Sequence, residues 1–105
     1  MTAHSPAELS PEDALRAACP DATAADVARL PEHLRAGLAR YLLRRISPGR
    51  FLRCALENDL AGAVCSADPA SLEGLRDLMQ FLHCCAPSAA WGSKEAVERW
   101  TKNSL

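Results

Sequence analysis

The chain has 105 residues and a formal net charge of −1, and 49% of its residues are hydrophobic while 24% are charged. These proportions are typical of one soluble globular domain and exclude an intrinsically disordered chain. No apolar run approaches the ~18 residues that a membrane helix needs, and the first ten residues are acidic and polar. We therefore predict no membrane span, no signal peptide and no membrane partner.

The N-terminal end differs in composition from the rest of the chain. Residues 1–9 contain Pro6 and few apolar side chains, so we predict that they form a mobile tail. No internal repeat divides the remainder, and no low-complexity tract appears beyond an alanine-rich stretch. Residues 10–105 are therefore predicted to form a single helical domain.

Proline and small polar residues indicate where the first helices begin. Ser10 followed by Pro11 supplies an N-cap and a residue suited to the first helical turn, and Pro20 ends this helix. The pattern leaves open a short second helix over residues 22–29, where Val27 and Leu30 are the large apolar residues at hand. The third is predicted over residues 31–46, where large apolar residues recur at the three- and four-residue spacing of one helical face.

Two shorter helices are predicted to follow. Residues 47–49, Ser-Pro-Gly, interrupt the apolar pattern, and the next helix is predicted to end at Asn58, a residue that tolerates the left-handed conformation. Another short helix is then expected, with Asp59 as its cap. It is predicted to end before Asp68.

The C-terminal third predicts one long and one short helix. Leucines recur at helical spacing from Asp68 to Cys85, and the last helix contains Val97 and Trp100 on one face. We expect Trp91 and Trp100 to attach this last helix to the core. No window shows the two-residue alternation of a strand, so the predicted fold class is all-α, a compact bundle of five or six short helices.

The most informative feature is the distribution of charge. Residues 29–53, which we call the basic run, carry seven arginines against one acid, Glu32. Residues 1–28 hold five acids and one arginine, and residues 54–105 hold seven acids and four basic residues. This asymmetry indicates a surface that meets an anionic partner, either an acidic protein surface or nucleic acid.

The arginines of the basic run also have a purely structural interpretation. Arg40, Arg44 and Arg45 fall in the last turns of a predicted helix, where the helix dipole favours cations. A nucleic-acid role would rest on phosphate contacts, because the helix after residue 49 lacks the Asn, Gln, Ser or Thr that usually accompany Arg in reading base edges. The candidate partner-binding residues are Arg35, Arg40, Arg44, Arg45, Arg50 and Arg53.

The five cysteines do not form a recognisable site. They are an odd number without a C-x-x-C spacing, which disfavours a disulfide framework or a zinc ribbon. His83 and Cys84 point about 100° apart on a helix, so they are poorly placed to share one ion. We predict no metal and no cofactor, cysteines packed in the core, and reduced thiols in the cytoplasm.

Catalysis and self-association are two further alternatives. Nothing in the sequence places a general base beside a nucleophile, so we predict a binding protein that is not an enzyme. A homodimer that shares the apolar face of the predicted helix from Asp68 to Cys85 remains an alternative.

Part of the chain resembles small uncharacterised helical proteins that bacteriophages and prophages encode. The resemblance covers roughly residues 30 to 100 and leaves the 29 residues before them unmatched. It rests on Ile46-Ser47-Pro48-Gly49-Arg50-Phe51-Leu52, on Leu56-Glu57-Asn58-Asp59-Leu60 through Ala63, on Phe81-Leu82 followed by Pro87, and on Trp91-Gly92-Ser93 with Val97 to Trp100.

What this resemblance implies is an accessory role for a phage in the bacterial cytoplasm. Many small phage proteins act by binding a host protein or nucleic acid, and inhibitors of host defence are one such class. We therefore expect a phage or prophage accessory protein that binds a host or phage protein without catalysis. The alternative is a small nucleic-acid-binding protein that uses the surface from Arg35 to Arg53.

Overall fold

The computed structural model describes residues 9–102, and all regular structure in that range is helical. The eight α-helices are α1 (Pro11–Ala18), α2 (Ala24–Arg29), α3 (Glu32–Arg44), α4 (Arg50–Leu56), α5 (Leu60–Ser66), α6 (Pro69–Glu73), α7 (Leu75–Cys85) and α8 (Lys94–Lys102). A 3-10 turn, Ser88–Ala90, lies between α7 and α8. The all-α prediction is confirmed, but the predicted count of five or six helices is too low.

Two predictions extend beyond the described residues. The mobile tail was predicted for residues 1–9, and all of it except Leu9 lies outside the described range. The same holds for residues 103–105 at the end of the predicted domain. The division into a tail and one domain therefore stays a prediction.

Short polar side chains cap α1, α2, α5 and α6, and the caps at Ser10 and Asp59 are those that the sequence predicts. The Ser10 hydroxyl accepts a hydrogen bond from the backbone N–H of Asp13 at 3.1 Å. Thr23 and Asp26 form a reciprocal capping box at the start of α2. Asp59 caps α5 and Asp68 caps α6. These bonds satisfy backbone donors that a helix start leaves unpaired, so each cap fixes where its helix begins.

Gly74 lies at the point where the long helix predicted from Asp68 to Cys85 is divided in two. It ends α6 and precedes α7, and the backbone there lies against the ring of Pro31. A Cβ at Gly74 would overlap that ring. The close approach of the two chain segments therefore requires glycine at this position. This requirement comes from the fold, and the apolar periodicity around residue 74 does not predict it.

Two residues with positive φ end helices. Arg45 adopts φ 63, which ends α3 at Arg44 instead of at Ile46. Asn58 adopts φ 61 just after α4, in line with its predicted role at the end of that helix. The left-handed conformation stops the helical ladder and turns the chain.

The core forms around α3, which α1 and α4 both contact. Large side chains from most helices meet there without exposure to solvent. The largest fully buried residues are Tyr41, Leu15, Leu30, Leu38, Leu56, Leu78, Leu82, Val27 and Cys19. Burial of each large apolar side chain contributes about 1.5–3 kcal/mol, so this cluster is the main source of stability.

The C-terminal segment is attached to α3 through Tyr41 and Trp100. The Tyr41 hydroxyl donates to the carbonyl of Ala90, and the Trp100 indole N–H donates to the carbonyl of Tyr41 at 2.9 Å. Their ring centroids lie 6.4 Å apart. Trp91 and Trp100 both pack against the core, as the sequence predicts. We call Tyr41, Ala90 and Trp100 the aromatic hub.

We expect the hub to be visible in an alkaline titration, because the chain has one tyrosine. Burial raises the pKa of Tyr41 from 10.0 to about 12, with a smaller opposing effect of Arg45 and a further increase from Glu57. Since the folded state disfavours the phenolate, this group should lower the free energy of unfolding only as pH rises from about 10 to about 12.

The measurement is tyrosinate absorbance against pH, for the native protein and for the protein in urea. The native curve should have its midpoint near 12 and the unfolded curve near 10. A native midpoint near 10 would show that the Tyr41 hydroxyl is solvated and would contradict the hub.

Candidate partner-binding surface

Arg35 is held within the fold. Its guanidinium donates to the carbonyl of Leu30 through Nε at 3.0 Å and through Nη2 at 2.8 Å, and Nη2 also donates to the carbonyl of Ala28 at 3.1 Å. Its Nη1 lies 3.3 Å from the Glu12 carboxylate, and the side chain is 17% exposed. Arg35 thus binds the carbonyls at the end of α2 and joins α1, α2 and α3.

Arg45 follows the last residue of α3 in a left-handed conformation, and its side chain is half-buried. Its guanidinium stacks over the ring of Trp100, 3.8 Å from the ring centroid. Such a cation–π contact contributes about 0.5–2 kcal/mol. The side chain of Arg45 therefore supports the aromatic hub.

Arg50 and Arg53 lie on α4, where both are exposed. Arg50 is the first residue of the helix, and Arg53 Nε lies 3.4 Å from the carboxylate of Glu57. An exposed i,i+4 pair of this kind contributes only about 0.3–0.5 kcal/mol. Arg53 is consequently available to a partner that competes with Glu57.

Arg40 and Arg44 are placed together at the edge of a cleft. They lie four residues apart on α3, both are exposed, and no ion pair joins either to another residue between 9 and 102. The cleft has a volume of about 220 Å³. We call it the basic cleft; it is lined by Leu9, Pro11, Ala14, Ala36, Ala39, Arg40, Leu43, Arg44 and Ile46.

Two residues that line the basic cleft expose apolar side chains to solvent. Leu9 is 36% exposed and Ile46 is 48% exposed, so apolar side chains reach solvent beside the two guanidinium groups. Sequence reasoning missed both as contact residues. The helical periodicity around Ile46 suggested burial, and Leu9 fell in the predicted tail. Only the packing of α1 against α3 brings them together.

The basic run is thus divided among several places. Arg40 and Arg44 line the basic cleft, whereas Arg50 and Arg53 do not. Arg35 and Arg45 are engaged with α2 and with Trp100. The predicted surface from Arg35 to Arg53 is therefore not one continuous set of exposed arginines, because Arg35 and Arg45 are engaged within the fold.

The cysteines follow their predicted core role only in part. Cys19 and Cys54 are buried, whereas Cys65 and Cys84 are exposed. Burial, with a smaller contribution from Cys85, raises the pKa of Cys19 to about 11, so this thiol stays protonated at neutral pH. Within residues 9–102 no group of three or more His, Cys, Asp or Glu side chains could hold a metal ion.

The side chains of His33 and Ser71 lie within hydrogen-bond distance of each other. Nε2 of His33 lies 3.0 Å from Oγ of Ser71, which is buried. The backbone N–H of Ser71 donates to Asp68 at 2.7 Å, an interaction that lowers the pKa of that carboxyl. The contact joins the first turn of α3 to α6.

Comparison with known proteins adds no assignment: no family model, curated protein or solved structure matches the chain. Among the helices within residues 9–102, none has the length and apolar character needed to cross a membrane.

We expect Arg35→Ala to lower the free energy of unfolding by about 2 kcal/mol, because the carbonyls of Ala28 and Leu30 would lose a charged donor. Arg35→Lys should recover only part of this loss, since one ammonium cannot reproduce the guanidinium fork. Urea denaturation measures both values.

Arg40→Ala is the matched control, because Arg40 is an exposed arginine of the same helix. Its free energy of unfolding should lie within about 0.5 kcal/mol of the unmodified protein. Equal stability of the Arg35→Ala and Arg40→Ala variants would show that Arg35 does not hold α2 in place.

Proposed function

We propose that this protein is a phage or prophage accessory protein that binds an acidic surface of a host or phage protein in its basic cleft, without catalysis. The observation that carries the proposal is the pairing of Arg40 and Arg44 with exposed Leu9 and Ile46 at one cleft. The phage origin and a bacterial cytoplasmic site of action rest on the sequence resemblance alone.

The composition of the basic cleft supports a protein partner. Protein interfaces combine an apolar centre with a polar rim, and arginine is enriched among the residues that contribute most binding energy. Here Leu43 and the alanines supply an apolar floor, and Arg40 and Arg44 supply positive charge at the edge. A partner with a large apolar side chain beside carboxylates would match both features.

A nucleic-acid partner is the alternative, and the charge of the basic run favours it. Phosphate binding gains affinity from each additional cation that contacts the backbone. Two of the six candidate arginines, Arg35 and Arg45, are already engaged within the fold. The neighbours of Arg40 and Arg44 in the cleft are apolar. Apolar side chains add no affinity for a phosphate group. These observations favour the protein partner.

Inhibition of a host defence system is one form that this accessory role could take. It would require the bound host protein to lose an activity. Identification of the partner therefore precedes any test of inhibition.

The experiment is affinity capture of the tagged protein from a bacterial host lysate, with and without nuclease, followed by mass spectrometry. We expect one protein to be retained in stoichiometric amount despite nuclease. Retention should fall at least tenfold for Arg40→Ala/Arg44→Ala, because both charged contacts would be lost.

The control variant is Arg76→Ala/Arg99→Ala, which removes the same charge from exposed positions on α7 and α8. It should retain the partner as the unmodified protein does. Retention of nucleic acid alone, lost with nuclease or in high salt, would instead support the nucleic-acid alternative.

A further inference from the structure

The part of the basic cleft that α3 supplies is divided lengthwise into a charged edge and an apolar strip. Ala36, Ala39 and Leu43 supply the apolar strip, and Arg40 and Arg44 supply the charge. Since successive helical residues turn by about 100°, the two arginines lie about 40° apart around the helix, and the three apolar residues all lie to one side of them. Leu43 stands between the two arginines along the helix axis. A partner must therefore place acids along one edge and an apolar group beside them.

The cleft is too small for most small-molecule ligands. Its volume of about 220 Å³ is below the roughly 300–1,000 Å³ that ligand pockets usually have. One large apolar side chain suits the space, because alanines and a leucine line the floor. Leu9 and Ile46 also line the cleft and expose apolar side chains to solvent. The occupant that fits is one side chain inserted by a larger partner.

The spacing of the two arginines restricts the backbone of that partner. Residues four apart on a helix are separated by about 6 Å along its axis, so Arg40 and Arg44 match two carboxylates at a similar distance. A partner helix that lies along α3 supplies such carboxylates at positions i and i+4, with an apolar residue at i+3 on the same face. In a strand, acids two residues apart are separated by roughly 6.6 Å, but the residue between them points away from the cleft.

The charges around the cleft favour an acidic helix over a basic one. The described residues that line the cleft include two arginines and no acid. Glu12 of α1 contacts Arg35 and does not line the cleft. A carboxylate at the charged edge therefore meets cations, whereas a lysine at the same place would meet like charge.

We propose that the basic cleft binds an acidic amphipathic helix of its protein partner, with the pattern Glu-x-x-Leu-Glu or a chemical equivalent. This inference rests on the proposed function and identifies the element of the partner that the cleft recognises. The leucine enters the cleft, and each glutamate pairs with one of the two arginines, Arg40 and Arg44. The mode of recognition is a helix in a groove, in which the apolar side chain supplies affinity and the charges fix the register.

The test uses a synthetic peptide with Glu-x-x-Leu-Glu at its centre and a lactam bridge on its opposite face that keeps it helical. The peptide has about 15 residues, because shorter helices are marginal in water. It is titrated into the isotope-labelled full chain, and the amide shifts are followed by NMR. We expect a dissociation constant of about 100 μM, with the shifted amides concentrated around Leu43 and Arg44 and absent from α8.

Variants of the protein and of the peptide separate the contributions of charge, apolar contact and spacing. Arg40→Ala/Arg44→Ala should weaken binding by about tenfold or more, and the control Arg76→Ala/Arg99→Ala should bind as the unmodified chain does. Alanine in place of the peptide leucine should weaken binding by about fivefold or more. Moving one peptide glutamate to the opposite face, at unchanged composition, should also weaken it, because only one arginine would then be paired.

Three results would overturn the proposal. They are no amide shift at about 1 mM peptide, equal binding of the peptide with the displaced glutamate, and tighter binding of a single-stranded thymidine oligonucleotide than of the peptide. The third result would support the nucleic-acid alternative. Capture of a host protein that depends on Arg40 and Arg44 would still stand after either of the first two, so failure of the helical partner is distinguishable from failure of the proposed function.

Discussion

The hydrogen bond from the Trp100 indole to the carbonyl of Tyr41 is the contact on which the position of the C-terminal segment after α7 depends. Tyr41 is completely buried, and its hydroxyl binds Ala90, so one residue of α3 holds both the 3-10 turn and α8. The N–H of Gly92 also donates to Leu56 at 2.7 Å, which ties the same segment to α4. The aromatic hub thus fixes α8 against α3 and α4.

The arginines near the hub differ in what they contact. Arg40 and Arg44 are exposed on α3 and line the basic cleft with residues of α1. Arg45 leaves the helix in a left-handed conformation and stacks on Trp100. Adjacent arginines in the sequence therefore have opposite roles, one available to a partner and the other structural.

Local signals in the sequence predict the helices well, whereas tertiary contacts decide the rest. The caps at Ser10 and Asp59 depend on residues three positions away, and both are predicted. The break at Gly74 depends on Pro31, and the role of Arg35 depends on Glu12 and Leu30. The periodicity of apolar residues does not predict contacts between residues that are far apart in the chain. The basic run predicted a charged surface, but contacts with α1, α2 and Trp100 decide which of its arginines are engaged within the fold and which are exposed.

The most direct test of this division compares the free energies of unfolding of Arg44→Ala and Arg45→Ala in urea. The two variants lose the same charge at adjacent positions. We expect Arg45→Ala to lose about 1 kcal/mol with its contact to Trp100, and Arg44→Ala to change by less than about 0.5 kcal/mol. Equal losses, or a larger loss for Arg44→Ala, would contradict the division of the arginines between fold and surface.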